Sequence, residues 1–119
     1  MVTRLGGIVL PADDAVHGAL GSYNILVDND SIAIIDLGAC GPGTRALDYA
    51  WLLRQAHHDP APDHVVDRIR TAGQQVAGEE AFTVCLLAAV LEMVASAADH
   101  GHTEAAVQEV HRARLLLVN

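Results

Sequence analysis

The stretch that decides the fold is VHGALGSYNILVDNDSIAIIDLG, residues 16–38. It contains two short strand-like runs, residues 24–27 and 32–35, and the Asp-Asn-Asp-Ser sequence between them has the composition of a turn. We therefore predict a small β-hairpin here. Polar residues lie at both ends of it, because Asn24 precedes the first apolar triplet and Asp36 follows the second run.

Asn24 and Asp36 are candidate ligands for a divalent cation. The start of one strand and the end of the next lie side by side in an antiparallel pair, so the two side chains should be neighbours. An amide oxygen and a carboxylate are hard oxygen ligands of the kind that Mg²⁺ accepts beside phosphate oxygens and waters. The same residues also fit a purely structural role at turns, and the pattern alone favours that role.

The remainder of the chain is rich in Ala and Leu and is predicted to be helical over residues 44–117. Gly and Pro in residues 38–43 (GACGPG) predict a loop before it. The expected helices span about 44–55, 63–76, 78–98 and from 103 onwards. Their predicted N-terminal caps are Thr44, Asp63 and Thr103, and Gly101 is placed where a helix C-terminal glycine is expected.

Length and composition indicate one domain, residues 1–119, of the α+β class and mainly α. Apolar residues make up 51% of the chain and aromatic residues only 3%, so the core must consist mostly of Ala, Leu, Val and Ile. The net charge is -8, and none of the seven basic residues is Lys. This acidic balance argues against nucleic-acid binding and against attraction to anionic membranes.

The nearly unbroken apolar run at residues 81–98 raises the question of a membrane span. As a helix it would be about 27 Å long, close to the hydrocarbon core of a bilayer. Glu92 would then lie deep in lipid, and no Lys or Arg closely flanks the run, so a helix buried on most sides by its neighbours explains the pattern better. Residues 1–10 contain too short an apolar run for a signal peptide, and the two cysteines, Cys40 and Cys85, indicate a reduced environment. We expect a cytoplasmic protein without a membrane segment.

Three motifs in order resemble those of one enzyme family. Residues 17–24, HGALGSYN, followed by Ile-Leu-Val, resemble the catalytic loop H-G-D-L-x-x-x-N of aminoglycoside phosphotransferases. Residues 34–38, IIDLG, resemble the metal motif I-D-W/F-G, and residues 43–52, GTRALDYAWL, resemble the D-L-A-x-x-L helix that follows it. Over about residues 10–55 the chain is thus similar to the aminoglycoside phosphotransferase and choline kinase family. This implies the carboxy-terminal lobe of a protein-kinase-like fold, with one small β-hairpin and about four helices.

The resemblance implies a role for each matching residue. Asn24 and Asp36 would hold Mg²⁺ against the phosphates of ATP. His17 would brace the loop against the backbone of the metal motif, and the Asp48 carboxylate would tie the later loop to the catalytic one. In such kinases the protein mainly positions substrates and neutralises charge.

Two departures from the family pattern predict an impaired, pseudokinase-like domain. Ala19 stands where the family has the catalytic Asp that accepts the proton of the substrate hydroxyl, and general-base catalysis is typically worth about 10²–10⁴-fold. Only sixteen residues precede His17 and the chain has no Lys. We therefore expect the amino-terminal lobe, with its phosphate-pairing Lys, to be absent, which counts against ATP binding.

Two other functions remain open. A lobe interface left uncovered would expose apolar surface, which predicts a non-catalytic interaction or regulatory module that dimerises or binds a second protein. Alternatively, the chain is half of a two-chain ATP-dependent phosphotransferase whose partner supplies the other lobe. The alanine-rich, lysine-free composition is typical of GC-rich bacterial genomes.

Overall fold

In a computed structural model of the protein, the described residues are 10, 12–58 and 61–118, without the side chains of 57, 58, 113 and 115–118. In this part of the chain the fold is mainly helical, as predicted, with two small antiparallel sheets. The strands are β1 (Asp14–Val16), β2 (Ile25–Asp28), β3 (Ser31–Ile34) and β4 (Gly41–Gly43). The helices are α1 (Ala46–His58), α2 (Asp63–Ala77), α3 (Glu79–Asp99) and α4 (Thr103–Val118). The predicted lack of a signal peptide in residues 1–10 lies, except for Leu10, outside the described residues.

The predicted hairpin is present and consists of β2 and β3. Its register places Ile25 opposite Ile34 and Asp28 opposite Ser31, with Asn29 and Asp30 forming the turn. The Asn29 backbone N–H donates to the Asp28 side chain at 2.8 Å, which is a local bond that Asp commonly makes in turns. The hairpin thus brings the residue before β2 close to the residues after β3.

The prediction that residues 38–43 form only a loop is wrong in its second half. Residues 41–43 are β4, which pairs with β1 so that Pro42 lies opposite Ala15. Proline has no N–H to donate, but a two-stranded ladder consists entirely of edge strands, where a missing donor is tolerated. This short sheet fixes the chain immediately before His17.

The predicted cap of α1 is confirmed, whereas the predicted caps of α2 and α4 are wrong. The Thr44 hydroxyl accepts a hydrogen bond from the Ala46 N–H at 3.3 Å, as a cap would. Asp63 is not the cap of α2, because Pro62 occupies that position and Asp63 lies in the first turn. There its charge still favours the positive end of the helix dipole. Thr103 is likewise the first residue of α4 and not its cap.

The end of α3 follows the predicted glycine pattern. Gly101 has φ +75°, a left-handed conformation that glycine adopts without steric cost. The His102 N–H then reaches back to the Ala97 carbonyl at 2.7 Å, as in a Schellman motif. The glycine therefore ends α3 and allows the chain to turn into α4.

The core lies between α1, α2 and α3. Its fully buried side chains include Leu53 and Phe82, and the Phe82 ring lies so close to Gly73 in α2 that a side chain there would clash with it. Cys85 is buried as predicted, and burial raises the pKa of its thiol to about 11. Cys85 is therefore a protonated core residue at neutral pH and not a nucleophile.

The prediction that α3 is buried on most sides is wrong. Only one stripe of it is buried, at Phe82, Cys85, Leu86, Ala89 and Val90, and just 28% of its apolar window lies inside the protein. Leu91, on the other side, is 63% exposed. By length and composition α3 could cross a membrane, which is weak evidence because core helices of soluble proteins pass the same test.

Candidate functional site

Residues 17–24 form a loop that is anchored by one carboxylate. The backbone N–H groups of His17 and Gly18 donate to the two oxygens of Asp48, at 3.0 and 3.1 Å. Asp48 lies in the first turn of α1. Hydrogen bonds to an ionised acceptor are about twice as strong as neutral ones, so this pair fixes the start of the loop on α1.

The His17 ring ties the loop to the segment that carries Asp36. His17 is 7% exposed. Its Nδ1 accepts a hydrogen bond from the Ala19 N–H at 3.2 Å, and its Nε2 lies 2.7 Å from the Ile35 carbonyl oxygen. Because Nδ1 is an acceptor, the proton of the neutral ring is assigned to Nε2, which donates to Ile35. The ring thus joins the start of the loop to the residue before Asp36.

The Asn24 side chain is oriented by the same loop. It is 5% exposed, and its Nδ2 donates to the Ala19 carbonyl oxygen at 3.0 Å. The Asn24 carbonyl accepts from the Ile35 N–H at 2.9 Å, which places Asn24 beside the residue that precedes Asp36. With its amino group occupied, Asn24 retains Oδ1 as an acceptor, and none of the described residues donates to it.

Asp36 has an uncommon backbone conformation. Its φ of 61° and ψ of 67° are left-handed, and in the described part of the chain it is the one non-glycine residue with positive φ. Such residues cost free energy and cluster at functional sites. The Asp36 side chain is exposed, and no described residue donates a hydrogen bond to its carboxylate, so both oxygens remain available to a ligand.

Gly18 makes the contact between the two motifs possible. Its φ is +91°, and a Cβ atom there would lie 2.5 Å from the Ala39 carbonyl oxygen. The loop therefore packs directly against the turn Leu37–Ala39 that follows Asp36. Gly18 has no predicted role of its own in the sequence, although a glycine close after a strand is a usable signal of a close backbone approach.

Asn24 and Asp36 together suit a magnesium ion better than a zinc ion. The structure places Asn24 beside Ile35, so the two candidate ligands lie at the same end of the hairpin. Among the described residues, no three His, Cys, Asp or Glu side chains are grouped to hold a metal. Two hard oxygen donors fit Mg²⁺, which takes its other ligands from water and phosphate, whereas a structural zinc site needs four protein ligands.

Ala19 contributes to the loop only through its backbone. Its N–H donates to His17 and its carbonyl accepts from Asn24. Both bonds are independent of the side chain at this position. The side chain at position 19 can therefore differ without loss of the hydrogen bonds that shape the loop.

Comparison with known proteins identifies one family. The model of a family described as "Phosphotransferase enzyme family" matches residues 11–84, more than half of the chain. The matched span includes the loop, the hairpin, Asp36 and Asp48, and it ends within α3. No curated protein and no solved structure matches the chain significantly.

The two bonds to Asp48 predict a large effect of its removal. We expect Asp48→Ala to lower the free energy of unfolding by about 3 kcal/mol, because two N–H groups lose a charged acceptor. Urea unfolding measures the change. Asp63→Ala is the matched control, since Asp63 also lies in a first helical turn but caps nothing, and only about 0.3–1 kcal/mol of dipole interaction would be lost there. Equal losses in the two variants would contradict the anchoring role of Asp48.

Proposed function

We propose that this chain, which belongs to the phosphotransferase enzyme family, is a phosphotransferase-like domain that binds Mg²⁺ and ATP but transfers phosphoryl groups poorly. The proposal rests on one observation about the loop, which is that the orientation of Asn24 for metal binding is independent of the side chain that proton transfer requires. The hydrogen bonds that orient Asn24 run through the backbone of Ala19, so the binding geometry does not need the carboxylate that proton transfer does. We further propose a cytoplasmic location, where ATP and Mg²⁺ are available.

Asn24 and Asp36 would hold the cation. The Asn24 amide is oriented by Ala19 and leaves Oδ1 for the metal, and the exposed Asp36 carboxylate supplies the negative charge. Held by these two residues, Mg²⁺ would supply the positive charge that neutralises the phosphates. The chain has no Lys to pair with the phosphates, so we expect weak, millimolar binding.

Ligand binding should appear as a rise in melting temperature that depends on the metal. At a nucleotide concentration about ten times the Kd, binding stabilises the native state by about 1.4 kcal/mol. For a domain of this size that corresponds to a rise of about 4–6 °C with Mg²⁺–ATP and none with ATP and a chelator. Differential scanning fluorimetry measures it.

Two aspartate variants distinguish a specific metal site from a general effect of negative charge. Asp36→Ala should abolish the rise, whereas Asp30→Ala, which removes the same charge from the exposed hairpin turn, should retain it. The nucleotide site is disproved if the wild-type protein shows no metal-dependent rise up to 10 mM nucleotide, an upper limit chosen at about ten times a millimolar Kd.

Restoring the acid at position 19 tests the explanation of impaired transfer. We expect Ala19→Asp to raise phosphoryl transfer from radiolabelled ATP to an aminoglycoside by at least about 100-fold, because general bases contribute about 10²–10⁴-fold. Ala19→Asn is the control, since it has a similar shape but cannot accept the proton. If both variants bind Mg²⁺–ATP and transfer equally slowly, loss of the base at position 19 does not explain the impairment.

The exposed face of the hairpin supports a second candidate, an interaction module. Residues opposite each other in the ladder share a face, so Ile25, Val27, Ile32 and Ile34 lie together. Val27 and Ile32 are 75% and 73% exposed. Such an apolar sheet face is a typical protein-contact surface, and we propose that a second copy of the chain covers it.

The mass of the protein in solution tests this second candidate. Light scattering after gel filtration should give twice the chain mass of 12.6 kDa. Ile32→Glu should then produce monomers, because it puts a charge into the apolar face. Ser31→Glu places the same charge on the opposite face of the hairpin and should remain dimeric. A wild-type protein that is monomeric at about 100 µM, well above the Kd of a stable dimer, contradicts the homodimer.

A further inference from the structure

A buried ion pair joins α1 to α4. Arg54 Nη1 of α1 donates to Glu109 Oε1 of α4 at 3.0 Å, and the two side chains are only 4% and 5% exposed. Arg112 Nη1 lies 3.8 Å from the other Glu109 oxygen. The Arg54 guanidinium also lies over the Trp51 ring, 5.1 Å from its centroid. Glu109 lies outside the span that matches the family.

The group formed by Trp51, Arg54, Glu109 and Arg112 is not arranged for the greatest stability. Two of its buried N–H groups, Trp51 Nε1 and Arg54 Nε, have no acceptor among the described residues. Buried unpaired donors are costly, and a buried ion pair often stabilises less than apolar side chains of similar volume. Fixing one relative position of two elements is a better-supported role for such a pair.

The pair is well placed to fix the position of α1. Arg54 is six residues after Asp48 on this helix, about 9 Å along its axis. At about 100° per residue the two side chains point in different directions. Asp48 therefore holds the loop and Arg54 holds α4. The buried apolar side chains of α1 are Ala46, Ala50, Trp51 and Leu53, and they pack into the core between α1, α2 and α3. To this packing the Arg54–Glu109 pair adds a charged hydrogen bond, which is directional, whereas the hydrophobic effect is not.

We propose that Glu109 is a positioning residue for the loop. By holding Arg54 it sets the axial position and rotation of α1, so that the Asp48 oxygens meet the N–H groups of His17 and Gly18. A shift of α1 by about one residue rise, 1.5 Å, would break both bonds, which are 3.0 and 3.1 Å long. The consequence for ATP binding rests on the proposed function, whereas the effect on the loop does not.

Amide hydrogen exchange at His17 and Gly18, followed by NMR, measures this effect directly. We expect Glu109→Gln to lower the protection of both amides at least about tenfold more than a variant of equal global stability does. Val90→Ala is the comparison variant, because it loosens the buried stripe of α3, which carries neither residue of the ion pair, and protection in each variant is compared with its own free energy of unfolding. Equal protection of the two amides in both variants would overturn the proposal.

A double variant covers the case in which Glu109→Gln does not fold. Arg54→Met with Glu109→Met replaces the buried pair by apolar side chains, a change that buried pairs commonly tolerate. It should fold and still lose protection at His17 and Gly18, and wild-type protection in it would refute the positioning role. If protection falls as expected while wild-type protein does not bind Mg²⁺–ATP, the positioning role stands and the proposed function fails.

Discussion

The structure of the candidate site depends on one carboxylate that accepts two successive backbone N–H groups. Asp48 takes the N–H groups of His17 and Gly18 and so joins the loop to α1. Each such charge-assisted bond contributes about 1.5–3 kcal/mol, a large share of the total for a domain that is stable by about 5–15 kcal/mol. With the loop fixed there, the His17 ring reaches the Ile35 carbonyl, and the segment before Asp36 is held against the loop.

The hydrogen bonds that frame the site join backbone groups to three side chains, those of His17, Asn24 and Asp48. The shape of the loop is therefore independent of the side chain at position 19. The left-handed conformation of Asp36 costs on the order of 1–3 kcal/mol, and the contact between Gly18 and the turn after Asp36 supports it. Residues held in such conformations cluster at active sites and ligand-binding segments.

Much of this arrangement follows from the sequence, because it is encoded locally. Two short apolar runs on either side of Asp-Asn-Asp-Ser define the hairpin, and Gly101 ends α3 as its position predicts. Features that depend on contacts between residues far apart in the chain could not be predicted in this way. The pairing of Pro42 with Ala15 depends on where β1 runs, and the exposure of one side of α3 depends on how few helices cover it. Arg54 and Glu109 are 55 residues apart in the chain, and no local sequence pattern predicts that they pair.

The measurement that tests the central claim most directly is paramagnetic broadening by Mn²⁺, which replaces Mg²⁺ at oxygen sites. With ATP present, substoichiometric Mn²⁺ should selectively broaden the backbone NMR signals of Asn24 and Asp36 and their neighbours, and Asp36→Ala should remove the effect. This result would show that the loop still forms a metal–nucleotide site without an acid at position 19. Broadening confined to acidic surface residues elsewhere, such as Glu79 and Glu80, would contradict it.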